Sequence, residues 1–589
     1  MDKNQVAEVL ESIAVLLELK GENPFKSRAY VNAARSLEML SEPLDKIVAE
    51  ERLGELKGIG EALQKKIQEL VTTGKLIYYE DLRASTPPGL LVMLEIGGLG
   101  PKKVKALHDE LGVESIEQLE QLCKEGKIAG LKGFGAKTQE NILDGISRRR
   151  SYATRHLLSD ALPVSEELLE HLRSHHEVIR CSTAGSLRRN REVIGDLDLL
   201  ASSKKPTEVI EFFSRLPGVE KVLAKGETKT SVLLNGGIQA DLRVVSDSEF
   251  TFALMYFTGS KQHNIVMRQR AIERGLRLNE YGLFRAKTET RDPALLVQCR
   301  TEGEVFQELG LSYIPPEMRE DLGEIAIAEA GPCPRLVEWT DLKGSLHNHS
   351  TWSDGRQRPD EIAKCMEELG LSYWGITDHS KSSVQANGLN PERISQQVTE
   401  IQAINERLDE QGSEFRLLTG AEVDILKDGR LDFADDVLAQ LDVVIASVHQ
   451  SFNLSESENT QRLIGAAQNP YVHILGHLTG RLLLARDPYQ VNHHAVIDAC
   501  AETGTWIELN AAPQRFDMDW RFWPYARGKG VKCVINCDAH RFEHAGYLRL
   551  GAGMARKGWL TREDVVNTLP YGKLRVALGA KRKKMHERG

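Results

Sequence analysis

Apolar side chains recur at helical spacing through the first 83 residues. Val6, Val9, Leu10, Ile13, Leu16 and Leu17 fall on one helix face, and Asn23-Pro24 breaks that segment. Leu63, Ile67 and Leu70 predict a further helix beginning just after Gly58-Ile59-Gly60. The unit of apolar helix, Gly-apolar-Gly turn and new helix then returns twice. Gly98-Leu99-Gly100 precedes Val104, Leu107 and Leu111, and Gly133-Phe134-Gly135 precedes Ile142. Such a turn lets backbone approach an anion, with N–H groups at the new helix start facing outward. A single copy reads equally well as a plain αα-hairpin; three copies favour a repeated phosphate cradle.

Beyond residue 150 the pattern shifts toward strands. Asp196-Leu197-Asp198-Leu199-Leu200 alternates, and Thr230–Leu234 and Ile238–Val245 flank Asn235-Gly236-Gly237, a hairpin signal. Residues 321–341, with Gly331-Pro332-Cys333-Pro334, show no period and are expected to form a linker or joint. From Leu342 onward short apolar runs such as Trp374-Gly375-Ile376 and Val443–Ala446 alternate with helix-like stretches such as 359–369 and 391–408. That alternation predicts a β/α barrel with its chemistry at the strand C-termini.

A chain of 589 residues should hold several domains. No run approaches 18 apolar residues and the N-terminus lacks a signal-peptide layout, so the chain is expected in the cytoplasm with no membrane partner. Its eight cysteines form no disulfide or zinc-knuckle pattern, which fits reduced thiols. The net charge of −9 does not announce a nucleic-acid binder, but residues 251–300 carry nine Lys/Arg against four Asp/Glu.

Two constellations carry chemistry. In the first, Asp196 and Asp198 are two apart in a strand and project side by side, which repulsion disfavours without a counter-ion. Two divalent cations bridging a triphosphate would supply it. Gly185-Ser186 offers backbone N–H groups to phosphate oxygens, Arg189 adds a planar fork, and Asp241 brings a third carboxylate on a nearby strand. Such an oxygen-rich set suits Mg²⁺. Lys66, beside an apolar helix face, is either a Schiff-base nucleophile or a solvated lysine. In the second, His347-Asn348-His349, Asp354, His379, Glu422, His449, His477 and Asp538-Ala539-His540 lie at or just beyond the ends of short apolar runs. Mixed imidazole and carboxylate donors suit Zn²⁺ or Mn²⁺.

The runs Gly185–Arg189, Gly195–Leu200, Ile238–Arg243, Tyr256–Ser260 and Leu278–Tyr281 resemble the family X, polymerase-beta-like DNA polymerases across residues 1–320. The resemblance implies Asp196, Asp198 and Asp241 as ligands of Mg²⁺ or Mn²⁺. It places Gly185, Ser186, Arg189 and Gly195 near a dNTP triphosphate, Tyr256, Phe257 and Gly259 on its sugar, and Asn264 facing the base. Arg268 would meet the template strand, Lys66 would be a deoxyribose-phosphate lyase nucleophile, and Gly58, Gly60, Gly98, Gly100, Gly133 and Gly135 would grip DNA backbone in helix-hairpin-helix modules. Ile194, Val164, Ala62 and Phe25 depart from the family pattern.

The later histidine series is similar to the PHP (polymerase and histidinol phosphatase) domain, a distorted seven-stranded barrel with three Zn²⁺ or Mn²⁺ ions. That implies one ion on His347, His349, Glu422 and Asp538, a second sharing Glu422 with His449 and His477, and a third on Asp354, His379 and His540. The expected architecture is multidomain: helix-hairpin-helix modules over 1–83 and 84–150, and an α+β nucleotidyltransferase palm with an antiparallel-type sheet over 151–250. A thumb over 251–320 and a linker over 321–341 lead to an α/β PHP barrel over 342–580. The implied activities are short-gap filling in DNA repair and 3′-end processing or abasic-site incision, on gapped or nicked double-stranded DNA with dNTPs, by a monomer that joins the nucleoid during repair. A nuclease with an inactive polymerase half, a DNA scaffold with structural metals, and a small-phosphomonoester phosphatase in the C-terminal half stand as alternatives.

Overall fold

The structure, a computed structural model, describes all residues except 2, 39, 41–43, 57, 95, 97, 153, 287, 289, 290 and 587–589. The chain divides into two compact units, Met1–Ala153 and Thr154–Gly589.

The first unit is helical. Lys3–Leu19 ends before Asn23, and the next helix, Pro24–Glu38, starts on proline, whose fixed φ and missing N–H suit a first helical position. Val6, Leu10, Ile13 and Leu17 are buried against Tyr30, Ala33, Leu37, Leu63, Ile67 and Leu70. Each full burial of a leucine or isoleucine side chain stabilises the fold by about 1.5–3 kcal/mol. A second cluster joins Leu90, Met93, Val104, Leu107, Leu119 and Ile142. The three hairpin turns share one backbone feature. Gly58, Gly98 and Gly133 have φ of 85°, 86° and 86°, a left-handed conformation that glycine alone adopts cheaply.

In the second unit a five-stranded sheet comes first: β1 (Arg180–Thr183), β2 (Asp196–Ser202), β3 (Val219–Lys225), β4 (Lys229–Leu234) and β5 (Gln239–Val245), in the order β1-β2-β5-β4-β3. Three neighbouring pairs are antiparallel, as the sequence suggests for this sheet. The pair bearing the carboxylates, β2 and β5, is parallel and sets Asp198 opposite Asp241. Leu197 and Leu199 point to the opposite face and are buried.

Residues 321–341 are a packed joint, not a free tether. Helix Glu324–Ala330 begins with a fully buried glutamate whose carboxylate accepts from the Asp321 and Leu322 N–H groups and meets His263 Nδ1 at 2.8 Å. Val337 N–H donates to the Leu560 carbonyl at 3.0 Å. This order has no periodic signature because side-chain caps and buried pairs, not an apolar stripe, create it.

Seven parallel strands follow in sequence order: β6 (Gly344–Ser345), β7 (Tyr373–Ile376), β8 (Arg416–Asp424), β9 (Val443–Ser447), β10 (Ile474–Leu475), β11 (Trp506–Asn510) and β12 (Cys533–Asn536). A bridge between Asn348 and Ala539 draws the two ends of the series together. Alternation sorts the side chains into two clusters. Leu418, Val443, Ile445, Ile474, Trp506 and Val534 pack together with Leu574 and Leu578, while Leu417, Val444, Ala446, Leu475, Ile507 and Ile535 join the larger core.

The C-terminal helix Tyr571–His586 carries Lys581-Arg582-Lys583-Lys584, a charge run that the sequence presents as a solvated tail. Lys581 is instead buried, with Nζ 3.5 and 3.4 Å from the Ala467 and Asn469 carbonyls. Among the described residues no helix is long and apolar enough to cross a membrane.

Two candidate active sites

In the sheet domain, a 440 Å³ cleft is lined by Gly185, Ser186, Arg189, Asp196, Asp198, Tyr256, Phe257, Gly259, Asn264 and Arg268, and also by Lys261, which the sequence did not single out. Gly185 has φ +57°, and a Cβ there would lie 1.9 Å from Asp198 Oδ2, so the Gly185-Ser186 turn abuts the carboxylate directly. Burial raises Asp196 and Asp198, and their carboxylate neighbours raise them further, Asp198 to about 6. Burial and like-charge repulsion both disfavour the ionised pair, so these carboxylates would gain from a bound divalent cation.

Asp241 lies outside the cleft lining but close enough to raise both companions. Burial would raise its own carboxyl, yet hydrogen bonds from Lys229, Gln239 and Ser231 hold it low. Lys229 Nζ sits 2.8 Å away, a cation standing where charge compensation is needed. Arg189 donates Nε to Glu320 at 3.0 Å and Nη1 to the Thr258 carbonyl at 2.5 Å. Asn264 Nδ2 donates to the Tyr256 carbonyl at 2.6 Å, and the Tyr256 and Phe257 rings meet edge to face. Gly195 is exposed just before β2 and does not line the cleft. Arg188 turns away from it into a buried pair with Glu302 at 2.6 Å.

Lys66 is half-buried in the helical unit, its ammonium 4.6 Å from the Tyr78 ring centre, in a separate 570 Å³ cleft with Glu61, Ala62, Lys65, Glu69 and Leu76. A Cβ on Gly58, Gly60, Gly98, Gly100, Gly133 or Gly135 would meet nothing within 4 Å, so these turns stand open to a partner's backbone.

The barrel brings all nine late candidates into one cluster. Glu422 is the hub: His477 Nε2 lies 2.8 Å from Oε1 and His449 Nε2 3.2 Å, while His379 Nδ1 lies 3.0 Å from Oε2 and His347 Nε2 3.3 Å. Asp538 takes His349 Nε2 at 3.1 Å, and Asp354 faces His540 at 3.4 Å, His349 at 3.6 Å and His379 at 3.7 Å. Donor atoms converge in three overlapping groups: His349 with Asp354, His379 and His540; His347 with His349 and Glu422; and His379 with Glu422 and His449. His349 and His379 are thus each shared between groups, where the resemblance assigned each to a single ion.

Burial opposes charge on His449 and His540, but the surrounding carboxylates raise them to about 10 and about 9. Against the effect of burial, His347 holds both Glu422 and Asp538 well below the usual carboxylate range, joined by His449 and His379 at Glu422 and by His349 and His540 at Asp538. The Nε2 of His347 and the Nδ1 of His349 are buried without a hydrogen-bond partner among the described residues. Orphaned ring nitrogens aimed at shared carboxylates are a donor set that fits divalent metal ions.

Sequence reading missed the groups that hold these donors. Glu508 accepts from His347 Nδ1 at 2.6 Å and from the His477 backbone N–H at 2.6 Å, and Asp424 takes His449 Nδ1 at 2.7 Å. Each fixes an imidazole so that its other nitrogen faces the cluster. The available signal was strand alternation, since Glu508 is two residues after inward Trp506 and Asp424 two after Glu422. Arg481, a candidate phosphate partner by position, instead binds the Arg515 and Phe516 carbonyls and Asp519.

Family profiles match this chain in four places: a helix-hairpin-helix domain over 1–76, a SAM-like helix-hairpin-helix tandem over 90–148, the DNA polymerase beta thumb over 253–320, and the PHP domain over 345–512. The chain is 41% identical over 569 residues to the DNA polymerase/3′-5′ exonuclease PolX of Bacillus subtilis, covering 96% of this chain and 97% of that protein. DNA polymerase lambda of Rattus norvegicus is 24% identical over 54% of this chain and 56% of its own length. A probable phosphatase of Thermoanaerobacter sp. is 31% identical over 29% of this chain and 70% of its own length. With 41% identity over nearly the whole of both chains, and with the thumb and PHP matches, this chain belongs to the family X DNA polymerases that carry a C-terminal PHP domain.

Proposed function

We propose that this protein is a DNA-directed DNA polymerase that fills short gaps during repair and trims the same 3′ end with a 3′-5′ exonuclease in its barrel. The observation that carries the proposal is the coexistence of two separate clusters of metal donors in one chain, each suited to phosphate chemistry. Divalent ions at both would supply positive charge to the phosphoryl group being transferred or hydrolysed. In the palm (151–250), Asp196, Asp198 and Asp241 would hold Mg²⁺ or Mn²⁺. Ser186 and Arg189 would bind the triphosphate, with Gly195 near it on the strand approach, Tyr256, Phe257 and Gly259 the sugar, Asn264 the base and Arg268 the template. In the barrel (342–580), the nine donors would hold three Zn²⁺ or Mn²⁺ ions, with Glu508 and Asp424 orienting their histidines.

The helical modules (1–83 and 84–150) would grip gapped or nicked DNA through the Gly58, Gly98 and Gly133 hairpins, with Lys66 as lyase nucleophile, and the thumb (251–320) would close on the new base pair. We place the protein in the cytoplasm as a monomer that joins the nucleoid during repair. The likeness of part of this chain to a probable phosphatase, together with the PHP match over 345–512, favours one second reading for the barrel, removal of a 3′-terminal phosphate. Incubation with a gapped, 5′-labelled primer, with and without dNTPs, separates these outcomes by product length. Growth by whole nucleotides with dNTPs and shortening without them supports the proposal. A primer that neither grows nor shortens under Mg²⁺ or Mn²⁺ contradicts it, and loss of only a 3′-phosphate selects the phosphatase reading of the barrel.

A further inference from the structure

We propose that the barrel domain is a working part of the nucleotide site: Lys557 and Trp520 are positioning residues that hold the phosphate-binding loop 185–192 for the incoming triphosphate. The proposal rests on the reading of the palm cleft as a dNTP site. Arg189 lines that cleft, and its guanidinium leans on Glu320 Oε1 at 3.0 Å. The same oxygen accepts Lys557 Nζ at 2.6 Å, and Lys557 also donates to the Arg189 carbonyl at 3.0 Å. Lys557 ends the barrel-side helix Tyr547–Lys557 and its side chain is 0% exposed. An ammonium so placed is retained only with partners that compensate its burial. Its partners here are the loop backbone, Glu320 and the face of Trp520, whose ring centre is 4.4 Å away.

Trp520 is the second anchor. Its indole N–H points at both Glu192 oxygens, at 3.2 and 3.1 Å, and Arg191 lies over its ring at 5.6 Å. Arg191 N–H in turn donates to the Ser186 carbonyl at 3.0 Å, so a hold on residues 189–192 reaches the turn that would cradle phosphate. On the same face, a Cβ at Gly553 would lie 3.1 Å from the Asn190 side chain, which leaves no slack between helix and loop.

Charge sharing gives the contact a function beyond support. Glu320 is approached by Arg189, by Lys557 and, at 3.7 Å, by Arg191. With three cations around one carboxylate, Arg189 keeps positive charge for a polyphosphate. Without Lys557, Glu320 would bind Arg189 more completely and the loop backbone would lose its tether.

The test is titration of the full-length protein with a fluorescent 2′-deoxynucleoside triphosphate in Mg²⁺, for wild type, Lys557→Met, Lys557→Arg and Trp520→Phe, with 3′-end trimming read on the same preparations. Lys557→Met and Trp520→Phe should each raise the dNTP Kd at least fivefold while trimming stays within twofold, and Lys557→Arg should recover most of the loss. Where primer extension is read as well, KM for dNTP should rise and kcat stay within twofold. A Kd within twofold of wild type in both variants would overturn the proposal. So would a parallel fall of binding and trimming in both, which is the mark of general support for the fold. Should Lys557→Met fail to fold, Trp520→Phe decides alone. Binding is read without turnover, so a protein that binds dNTP yet extends no primer sinks the polymerase reading while these constants still judge the bridge.

Discussion

At the scale of single residues, the two sites solve opposite problems with the same groups. Asp196 and Asp198 are raised by burial and by neighbouring carboxylates, whereas Glu422 and Asp538 are lowered by imidazoles against the effect of burial. Orientation then depends on the partners behind the donors. Glu508→Gln leaves the nine barrel donors intact but loosens His347, so barrel metal affinity should fall about 10–100-fold by calorimetric titration. Primer extension should be unchanged in that variant. At the palm, Gly185→Ala sets a methyl group against Asp198 and strains a left-handed backbone. Extension should drop at least tenfold in steady-state assays, with trimming unaffected. The candidate donors were legible because the palm pair interrupts an apolar run and the barrel nine lie at or just beyond the ends of such runs. Glu508 and Asp424 were not, because a carboxylate inside a strand looks like an ordinary polar position until the strand's inner face is known.

At the scale of elements, buried ion pairs join segments that hydrophobic periodicity leaves unconnected. Burial alone would raise the Glu302 carboxyl, yet Arg319 and Arg188 hold it at about 2, below the usual 4.5. A carboxylate lowered in the folded state stabilises above its unfolded pKa, and the contribution, about 3 kcal/mol here, is lost as pH falls from about 4.5 toward 2. Glu302→Gln should therefore be strongly destabilising at pH 7 and progressively less so, relative to wild type, between pH 5 and pH 3 in urea unfolding curves. The C-terminal helix teaches the same lesson from the apolar side. Leu574 and Leu578, four residues apart, are buried with the inward strand residues, so Leu574→Ala should cost about 2–5 kcal/mol of stability in the same assay. In the sequence, the run Lys581–Lys584 masks that stripe.

At the scale of the whole molecule, the order of domains was readable because each has its own period: helical hairpins, an alternating sheet, then strand and helix in turn. The fit between sheet domain and barrel was not. Its contacts join residues such as Glu320 and Lys557, 237 positions apart, and no local pattern encodes them. The two candidate centres nevertheless share no donor residue, so either should fail while the other still works. The most direct test follows one 5′-labelled gapped primer with Asp196→Ala and His347→Ala proteins, with and without dNTPs. Asp196→Ala should abolish extension and keep trimming, and His347→Ala should keep extension and lose trimming. Loss of both activities in either folded single variant would contradict two independent sites.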